Sequence, residues 1–418
     1  MHDNFKIAPI KTDKQIITVV FSFNNEYCKY FSVAFQSLIK NSKDTYFYDI
    51  VAFSSDISSR NKKLLFELLP KNFSLRFFDV SNILKNLNLP IKKYWSVDMY
   101  YRIAIPVIMP DYDKVLYVDS DIIFNNDISN IFDIDFCDKK LLAVSDSFNL
   151  VSDFKESEER NEYIKDYLGL TECDTYFNSG VLLFNIHSFN KQEYLETIKT
   201  AFNKIKKTYC PDQDILNFMF KGQVKIINQK WNLQYHLPIF HKKDLPHIEK
   251  SCLEKYNNAF QTPVIIHYTS PVKPWNAPQE ELADVFWKFA RQTVFYEEIL
   301  SSMYKNEIYE SRYATNLYLM LQSNKKIMFW GASLYLENFL KKYEINKKFY
   351  PNIIGIIDKN KSRTGSFLGD YQIFSPEILK DCGADEIILT IVNSLNERYE
   401  EIANYLKEQN IRIKLTRL

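Results

Sequence analysis

The feature that most constrains the fold is a repeated alternation of short apolar runs with amphipathic segments in the first half of the chain. The apolar runs have the length of strands and are rich in Ile, Val, Leu and Phe, at Ile16–Phe23, Asp49–Ser54, Leu75–Asp79 and Lys114–Val118. The segments between them carry apolar residues at helical spacing, at Tyr30–Lys40 and at Ser58–Leu69, where Ser58 is a candidate N-cap. Strands that alternate with helices are typical of βαβ units. The pattern therefore predicts an α/β domain with a mainly parallel sheet.

The same patterns divide the rest of the chain into predicted helices, strands and loops. Val97–Val107 predicts a helix that bends or stops near Pro106. Further strands are predicted at Leu141–Ser145, Gly180–Asn185, Val224–Ile227 and Val264–His267. The proline-rich stretch Pro271–Pro278 predicts a loop, and helical spacing returns from Glu280 onward. A chain of 418 residues is long enough for two or three domains, and we place them at 14–278, at 279–324 as a helical linker, and at 325–418.

The last of these segments has its own βαβ-like pattern. Strands are predicted at Lys326–Trp330, Ile353–Ile357, Glu386–Ile391 and Ile411–Leu415, and helices at Leu334–Tyr343, Ser375–Cys382 and Ser394–Gln409. The pattern predicts a small, three-layer, Rossmann-like α/β domain. A turn with one glycine, Gly331, and Asp358 after the next strand resemble a nucleotide-binding unit only weakly. A structural or partner-binding role is therefore favoured over ligand binding.

Composition excludes several classes of protein. The chain has 53 Lys and Arg against 52 Asp and Glu, which argues against a general nucleic-acid binder. It has 8 glycines and contains neither G-x-G-x-x-G nor G-x-x-x-x-G-K-[ST], so a P-loop kinase or a dinucleotide-dependent dehydrogenase is not expected. A nucleotide would have to be held by other means, of which a metal ion is the obvious one. The six cysteines contain no C-x-x-C pair, and neither a signal peptide nor a bilayer-spanning stretch is evident, so we expect a cytoplasmic protein.

The strongest local motif is Tyr117-Val118-Asp119-Ser120-Asp121, directly after an apolar strand. Ligands of open α/β sheets gather at the carboxyl ends of strands. Two carboxylates at positions i and i+2 can both reach one cation there, and oxygen ligands suit Mg²⁺ or Mn²⁺. The alternative interpretation of such an acidic pair is a solvated turn.

Three more polar motifs follow along the chain, each with a structural alternative. Tyr176–Leu183 contains Asn178 and two small residues that allow a close approach of the backbone, or it is a tight turn that enters a strand. Pro211–Asn217 places polar groups at the start of a helix, or merely caps that helix. His267 ends an apolar strand, where it is either a ligand or a satisfied core residue, and Lys273 would suit a phosphate.

In their order these motifs resemble glycosyltransferase family 8, the retaining nucleotide-sugar transferases that include bacterial lipooligosaccharide galactosyltransferases and glycogenin. The resemblance spans about Ile16 to Trp275 and includes Val20-Phe21, Asn25-Glu26-Tyr27 and Tyr101-Arg102. It implies a nucleotide-diphospho-sugar transferase fold of the GT-A type for the first domain.

The resemblance also implies roles for individual residues. By it, Asp119, Asp121 and His267 coordinate Mn²⁺, with Mg²⁺ as the alternative. Four residues match the uridine-binding segment, with Tyr27 against the uracil: Phe21, Ser22, Asn24 and Tyr27. Six match positions that bind the sugar, with Gln213 nearest the anomeric carbon and Asp146 and Asp212 as the nearby carboxylates: Arg102, Asp146, Asn178, Ser179, Asp212 and Gln213. Ser270 and Lys273 match the loop that covers the diphosphate.

The implied function is metal-dependent, retaining transfer of a hexose, galactose or glucose, from a UDP-sugar to a saccharide, glycolipid or glycoprotein acceptor. The acceptor would belong to bacterial lipooligosaccharide, capsule or glycoprotein glycan synthesis. Same-face attack and double displacement through Asp146 both remain open. The alternative function is a non-catalytic nucleotide-sugar-binding or scaffold protein. The protein could also attach peripherally to the inner face of the membrane or form a homo-oligomer. No nucleic-acid partner is expected.

Overall fold

The computed structural model describes residues 6–84, 97–147, 162–170, 176–206, 208–235, 250–269, 272–303, 325–342, 345–389 and 395–417. The chain divides into two compact units, Met1–Met303 and Tyr304–Leu418. The first unit holds the motifs singled out above, apart from the turn at Gly331.

The first unit is built on a seven-stranded sheet with the order β3-β2-β1-β4-β7-β6-β8. Neighbouring strands are parallel except where β7 meets β4 and β6. The mainly parallel sheet is therefore confirmed, and one strand runs against it. The strands are β1 (Ile16–Ser22), β2 (Phe47–Phe53), β3 (Phe73–Phe78), β4 (Lys114–Val118), β6 (Leu141–Ser145), β7 (Phe177–Asn185) and β8 (Val224–Ile226).

Strand β7 begins three residues before the predicted start at Gly180. Asn178, Ser179 and Gly180 thus lie within the strand, and the interpretation of this motif as a tight turn is wrong. Because β7 is antiparallel to β4, Val181 pairs with Val118 and the first residues of β7 lie beside the end of β4. The direction of this one strand brings two of the sequence motifs together.

Helices cover both faces of the sheet and bury a core on each. One core joins Phe21 and Val19 to α1, and the other joins Val20 and Val51 to the helices that follow β3 and β7. The helices of this unit are α1 (Cys28–Asn41), α2 (Ser59–Phe66), α3 (Ser81–Leu84), α4 (Ile105–Ile108), α5 (Lys191–Lys204), α6 (Pro211–Met219), α7 (Lys250–Gln261) and α8 (Ala283–Ala290), with a helical segment at 296–303.

Several helix boundaries differ from the prediction. The helix expected at Val97–Val107 is a 3₁₀ helix at Val97–Ala104, and Pro106 lies in the first turn of the short α4, where the missing N–H does no harm. The helical spacing after Glu280 divides into α8 and the segment at 296–303, with turns at 291–295 between them. The cap at Ser58 is confirmed, because its side chain accepts a hydrogen bond from the Asn61 N–H.

The first unit also contains a second sheet of three short strands. It consists of β5 (Ile122–Phe124), β9 (Leu233–Gln234) and β10 (Ile265–His267), in the order β5-β10-β9. His267 pairs with Ile122, and the Tyr268 N–H donates to the Asp121 carbonyl oxygen at 3.0 Å. This pairing holds the end of β10 against the acidic motif.

The second unit has a six-stranded sheet, in the order β13-β14-β12-β11-β15-β16, with helices on both faces. Its three-layer α/β architecture is as predicted. The short hairpin β13–β14 was not predicted, Ser375–Cys382 contains a 3₁₀ helix at Pro376–Lys380, and the last strand begins three residues later than expected. Its elements are β11 (Ile327–Trp330), α9 (Leu334–Lys342), β12 (Ile353–Ile357), β13 (Phe367–Leu368), β14 (Tyr371–Phe374), β15 (Glu386–Leu389), α10 (Leu395–Glu408) and β16 (Lys414–Arg417).

The glycine turn of this unit makes its own local contacts. Gly331 has φ +111°, and the N–H of Ala332, two residues before α9 begins, donates to Asp358 Oδ2 at 3.0 Å. The Asp358 carboxylate is thus engaged by a backbone N–H of the turn itself. In the part of the chain that the structure describes, no helix has both the length and the apolar character needed to cross a bilayer.

Candidate functional site

The polar motifs meet where strand order reverses in the large sheet. Strands β1 and β4 are parallel neighbours, with Phe21 beside Val118, while β2 and β7 lie on their outer sides. Ligands of open α/β sheets bind at such a switch point, outside the carboxyl ends of the strands. Asp119 is the first residue past β4, and its N–H donates to the Gly180 carbonyl oxygen at 2.9 Å. The acidic motif is thus anchored to β7 at the position where a ligand is expected.

Asp119, Asp121 and His267 form one cluster. Each offers a ligand atom, and these atoms lie within 4.8 Å of one another. His267 Nε2 lies 3.3 Å from Asp121 Oδ1 and 3.6 Å from Asp119 Oδ2, and the ring is 3% exposed. Its Nδ1 contacts Asn232 Oδ1 at 2.9 Å. The histidine is therefore a core residue on one side and a candidate ligand on the other.

The cluster fits a divalent cation. Two carboxylate oxygens and one imidazole nitrogen form a donor set that suits Mn²⁺. Space for the set exists because residue 180 is a glycine. A Cβ there would lie 2.1 Å from His267 Cε1 and 2.7 Å from Asp119 Oδ2. The small residue that the sequence suggested for backbone approach to a ligand instead makes room for the candidate ligands themselves.

Arg102 joins this cluster to a second carboxylate. Its guanidinium is buried, with Nη2 2.8 Å from Asp119 Oδ1 and Nη1 3.3 Å from Asp212 Oδ2. Nη1 also donates to the Ser179 carbonyl oxygen at 2.6 Å, and the guanidinium lies 4.4 Å from the centre of the Tyr117 ring. Burial opposes the charge, but Asp119 and Asp212 hold the pKa of Arg102 above its usual range. Arg102 therefore stays charged and fixes the spacing of two acids.

Lys273 reaches the cluster from the loop after β10. Its Nζ lies 2.6 Å from Asp121 Oδ2 and also donates to the Tyr268 carbonyl oxygen. Burial alone would raise the pKa of Asp121, but Lys273 and His267 outweigh it and hold that pKa well below its usual range. Asp121 is thus ionised, as a cation ligand must be.

The predicted sugar-binding residues form a buried, hydrogen-bonded group beside the cluster. Gln213 Nε2 donates to Asp146 Oδ2 at 2.8 Å, and Gln213 Oε1 accepts from the Ser179 N–H at 3.0 Å and from Asn178 Nδ2 at 3.2 Å. Ser179 Oγ donates to Asp212 Oδ2 at 2.8 Å. Burial raises the pKa of Asp212, although Arg102 opposes it. The structure thus brings all six of these residues together.

The predicted uridine-binding residues lie at the end of β1. The Tyr27 ring packs edge-on against the Trp275 ring, with 6.0 Å between the ring centres. Burial raises the pKa of the Tyr27 hydroxyl, and the nearby charges of Asp121 and Asp119 add to this effect. Asn24 Oδ1 accepts from the Tyr27 N–H at 3.0 Å, and Ser22 Oγ donates to the Asp98 carbonyl oxygen at 2.6 Å. Phe21 differs from the expectation. Its fully buried side chain packs edge-on against two other core rings, so that side chain does not face a ligand.

Two side chains at this site had no role predicted from the sequence, and one predicted residue falls outside the described part of the chain. Tyr117 OH donates to Asp119 Oδ1 at 2.8 Å. Tyr117 begins the acidic motif, but the sequence indicated no role for its side chain. Asn232 links His267 to Asn178, and the only signal for it is a short polar turn, Asn228–Asn232, between two strands. Ser270 falls outside the residues that the structure describes.

Comparison with known proteins identifies relatives of this chain. A lipopolysaccharide 1,2-glucosyltransferase of Escherichia coli is 30% identical over 285 residues, which are 64% of this chain and 76% of that protein. A solved structure of galactosyltransferase LgtC, in complex with donor and acceptor sugar analogues, matches with a TM-score of 0.55 and 25% identity over 66% of this chain and 96% of the other.

The bifunctional glycosyltransferase WbbM matches with a TM-score of 0.62 and 27% identity over 71% of this chain, but the match spans only 53% of that longer protein. These similarities identify the fold of the first unit as the GT-A type. The sequence model described as glycosyl transferase family 8 matches residues 18–278, the region that carries the acidic motif and His267. This chain is a glycosyltransferase that belongs to family 8.

Proposed function

We propose that this glycosyltransferase moves a hexose, galactose or glucose, from a UDP-sugar to a saccharide acceptor, with retention and with the help of a divalent cation. The observation that carries the proposal is the convergence of Asp119, Asp121 and His267 on one point beside a buried group of polar side chains. Asp119, Asp121 and His267 would hold the cation, which we take to be Mn²⁺.

The charges at the site suit the departure of UDP. Negative charge grows on the β-phosphate as the glycosidic bond breaks, and a bound divalent cation supplies positive charge at that place. Lys273 adds a second positive charge, since its Nζ lies 2.6 Å from Asp121. Arg102 holds Asp119 in place through Nη2, while its Nη1 lies near Asp212.

The hydrogen bonds of Gln213 bear on how the configuration at the anomeric carbon is retained. Its carboxamide is engaged at both ends, by Asp146 and by the Ser179 N–H. An amide oxygen held in this way is a poor nucleophile, so we assign Gln213 to positioning of the sugar. Same-face attack, with the leaving phosphate assisting deprotonation of the acceptor, then needs no enzyme nucleophile. Asp146 is the carboxylate that double displacement would use.

The relatives support the choice of substrates. The Escherichia coli relative is a lipopolysaccharide glucosyltransferase, and LgtC is a galactosyltransferase. A hexose donor and a saccharide acceptor on a bacterial glycolipid or glycoprotein are therefore the substrates we propose for this chain.

Hydrolysis of UDP-glucose and UDP-galactose, measured with and without EDTA, tests the proposal. We expect UDP release that EDTA abolishes and that added Mn²⁺ restores. If neither donor is turned over in a metal-dependent way while UDP still binds, the chain is a nucleotide-sugar-binding protein without this activity.

Replacement of Lys273 by Met is expected to lower kcat about 100-fold, because a positive charge near the leaving diphosphate is lost. Binding of Mn²⁺ should persist, since Asp119, Asp121 and His267 are all retained. The matched control is Lys43→Met, which breaks a Lys–Asp ion pair of equal length, 2.6 Å, at Asp127. A kcat for Lys273→Met equal to that of the control would contradict the role of Lys273.

We further propose that residues 14–278 form the catalytic domain, that the helical extension at 279–324 adds residues to its core, and that 325–418 form a separate domain. A chain ended after Asn324 is expected to keep metal-dependent UDP-hexose hydrolysis, because every described residue of the site lies within Met1–Met303. A chain ended after Arg291 serves as the contrasting control, because it also removes Phe295 and Ile299 from the core. It should fail to fold. A soluble, folded chain that ends at Asn324 but lacks hydrolysis would contradict the separation.

A further inference from the structure

A buried asparagine connects the candidate metal site to the sugar-binding group. Asn232 follows a 3₁₀ helix, Gln229–Trp231, and its side chain is excluded from solvent. Its Oδ1 lies 2.9 Å from His267 Nδ1, and its Nδ2 donates to Asn178 Oδ1 at 2.9 Å. Asn232 thus contacts a candidate metal ligand with one end of its amide and a candidate sugar-binding residue with the other.

The orientation of these amides is set by two backbone groups of β7. The oxygen and nitrogen of a side-chain amide have similar shapes, so their partners decide which is which. A backbone N–H can only donate. The Gly180 N–H lies 2.9 Å from one end of the Asn178 amide, which must therefore be Oδ1. The Ser179 N–H makes the equivalent contact with Gln213 at 3.0 Å, so that atom is Oε1.

The orientation of the Asn178 amide then determines the orientation of the Asn232 amide. Because Asn178 Oδ1 is an acceptor, Asn232 must turn its Nδ2 toward it and its Oδ1 toward His267. That oxygen accepts a hydrogen bond, so His267 Nδ1 must carry a hydrogen. In the neutral ring, Nε2 then has the lone pair, and Nε2 is the atom that faces Asp119 and Asp121. Only this tautomer can bind a cation through Nε2.

We infer that Asn232 is a positioning residue that fixes the tautomer of His267 and ties the metal ligand to the hexose-binding amides, an inference that rests on the proposed metal-dependent function. Asn232 touches neither the cation nor the sugar in this arrangement. It acts through His267 on one side and through Asn178 and Gln213 on the other. Binding of the cation and recognition of the hexose therefore share one chain of hydrogen bonds.

Two substitutions separate the two halves of this series of hydrogen bonds, the half at His267 and the half at Asn178. Asn232→Asp keeps an acceptor for the His267 N–H but places a carboxylate oxygen against Asn178 Oδ1. Asn232→Leu removes both contacts and keeps the number and branching of the side-chain heavy atoms, but its two methyl groups are bulkier than the oxygen and nitrogen they replace. The matched control is Gln229→Leu, which replaces a buried amide of the same turn whose Nε2 contacts the Ser145 carbonyl oxygen.

Two binding measurements on the full chain provide the readouts. The first is the Mn²⁺ affinity in the presence of UDP, from the electron paramagnetic resonance signal of free Mn²⁺. We expect Asn232→Leu to weaken the Mn²⁺ affinity about 10- to 100-fold. Asn232→Asp should recover most of that affinity. The second is the gain in affinity for UDP-hexose over UDP, which both variants should lose and Gln229→Leu should keep.

The outcomes distinguish this inference from the proposed function. If the unmodified protein fails to bind Mn²⁺ with UDP present, the proposed function is wrong. If it binds and Asn232→Leu binds equally well, the inference is overturned. Should both variants fail to fold, nitrogen NMR of ¹⁵N-histidine in the unmodified protein, with UDP and diamagnetic Mg²⁺ present, reads the tautomer directly. Hydrogen on Nδ1 of neutral His267 is expected, and hydrogen on Nε2 overturns the inference.

Discussion

Asp121→Asn is expected to lower hexosyl transfer and UDP-hexose hydrolysis at least about 100-fold, because one of three cation ligands and its charge are lost. The substitution keeps the shape of the side chain, so the fold should persist. Lys273, which now pairs with Asp121 at 2.6 Å, would face a neutral amide. Titration of activity with Mn²⁺ is the measurement, and the variant should need far more Mn²⁺ to reach a much lower plateau.

Asp127→Asn is the control for this experiment. Asp127 follows β5 and pairs with Lys43 at 2.6 Å, so it loses the same charge and an ion pair of the same length. Its activity and Mn²⁺ dependence should match those of the unmodified protein. A wild-type kcat for Asp121→Asn at low Mn²⁺ would show that Asp121 is not a metal ligand.

Gly180→Ala is expected to have an effect of similar size without any change of charge. The added methyl group would lie 2.1 Å from His267 Cε1 and 2.7 Å from Asp119 Oδ2, so both side chains must move. We expect a loss of Mn²⁺ affinity and at least about a 100-fold fall in activity, since a metal ligand that moves no longer meets the cation.

Gly222→Ala separates this effect from a general loss of stability. Nothing lies within 4 Å of a Cβ at Gly222, but φ is +72°, so the substitution costs about 1 kcal/mol of folding free energy. It should lower the melting temperature while leaving Mn²⁺ affinity unchanged. If Gly180→Ala binds Mn²⁺ as tightly as Gly222→Ala does, the close packing around residue 180 is not needed at the site.

Local pattern in the sequence was sufficient for most single elements. Strand β4 has the bounds that its apolar run predicted, and the acidic pair follows it directly. The predicted longer helices and strands agree to within a few residues, since apolar runs and helical spacing are local patterns. The helices α5 and α7 were not predicted. The short strands β5 and β9 were not predicted, because a run of two or three residues has no periodicity to detect.

The role of Phe21 shows a limit of motif matching. The residue belongs to the segment that matches a uridine-binding motif, yet its side chain belongs to the core. Successive residues of a strand point to opposite faces. A motif that overlaps the end of a buried strand therefore contains residues that support the sheet as well as any that bind a ligand.

The sequence by itself determined which chemical groups this protein has and the order in which they follow its strands, and that order was enough to indicate the family. Only the tertiary structure decided which groups meet. Antiparallel pairing of β7 with β4 places Gly180 beside Asp119, and pairing of β10 with β5 brings His267 to Asp121. Asn232 acquires its role only after both pairings exist. Periodicity reports whether a residue is buried, but the identity of its neighbours depends on contacts between segments that lie far apart in the chain.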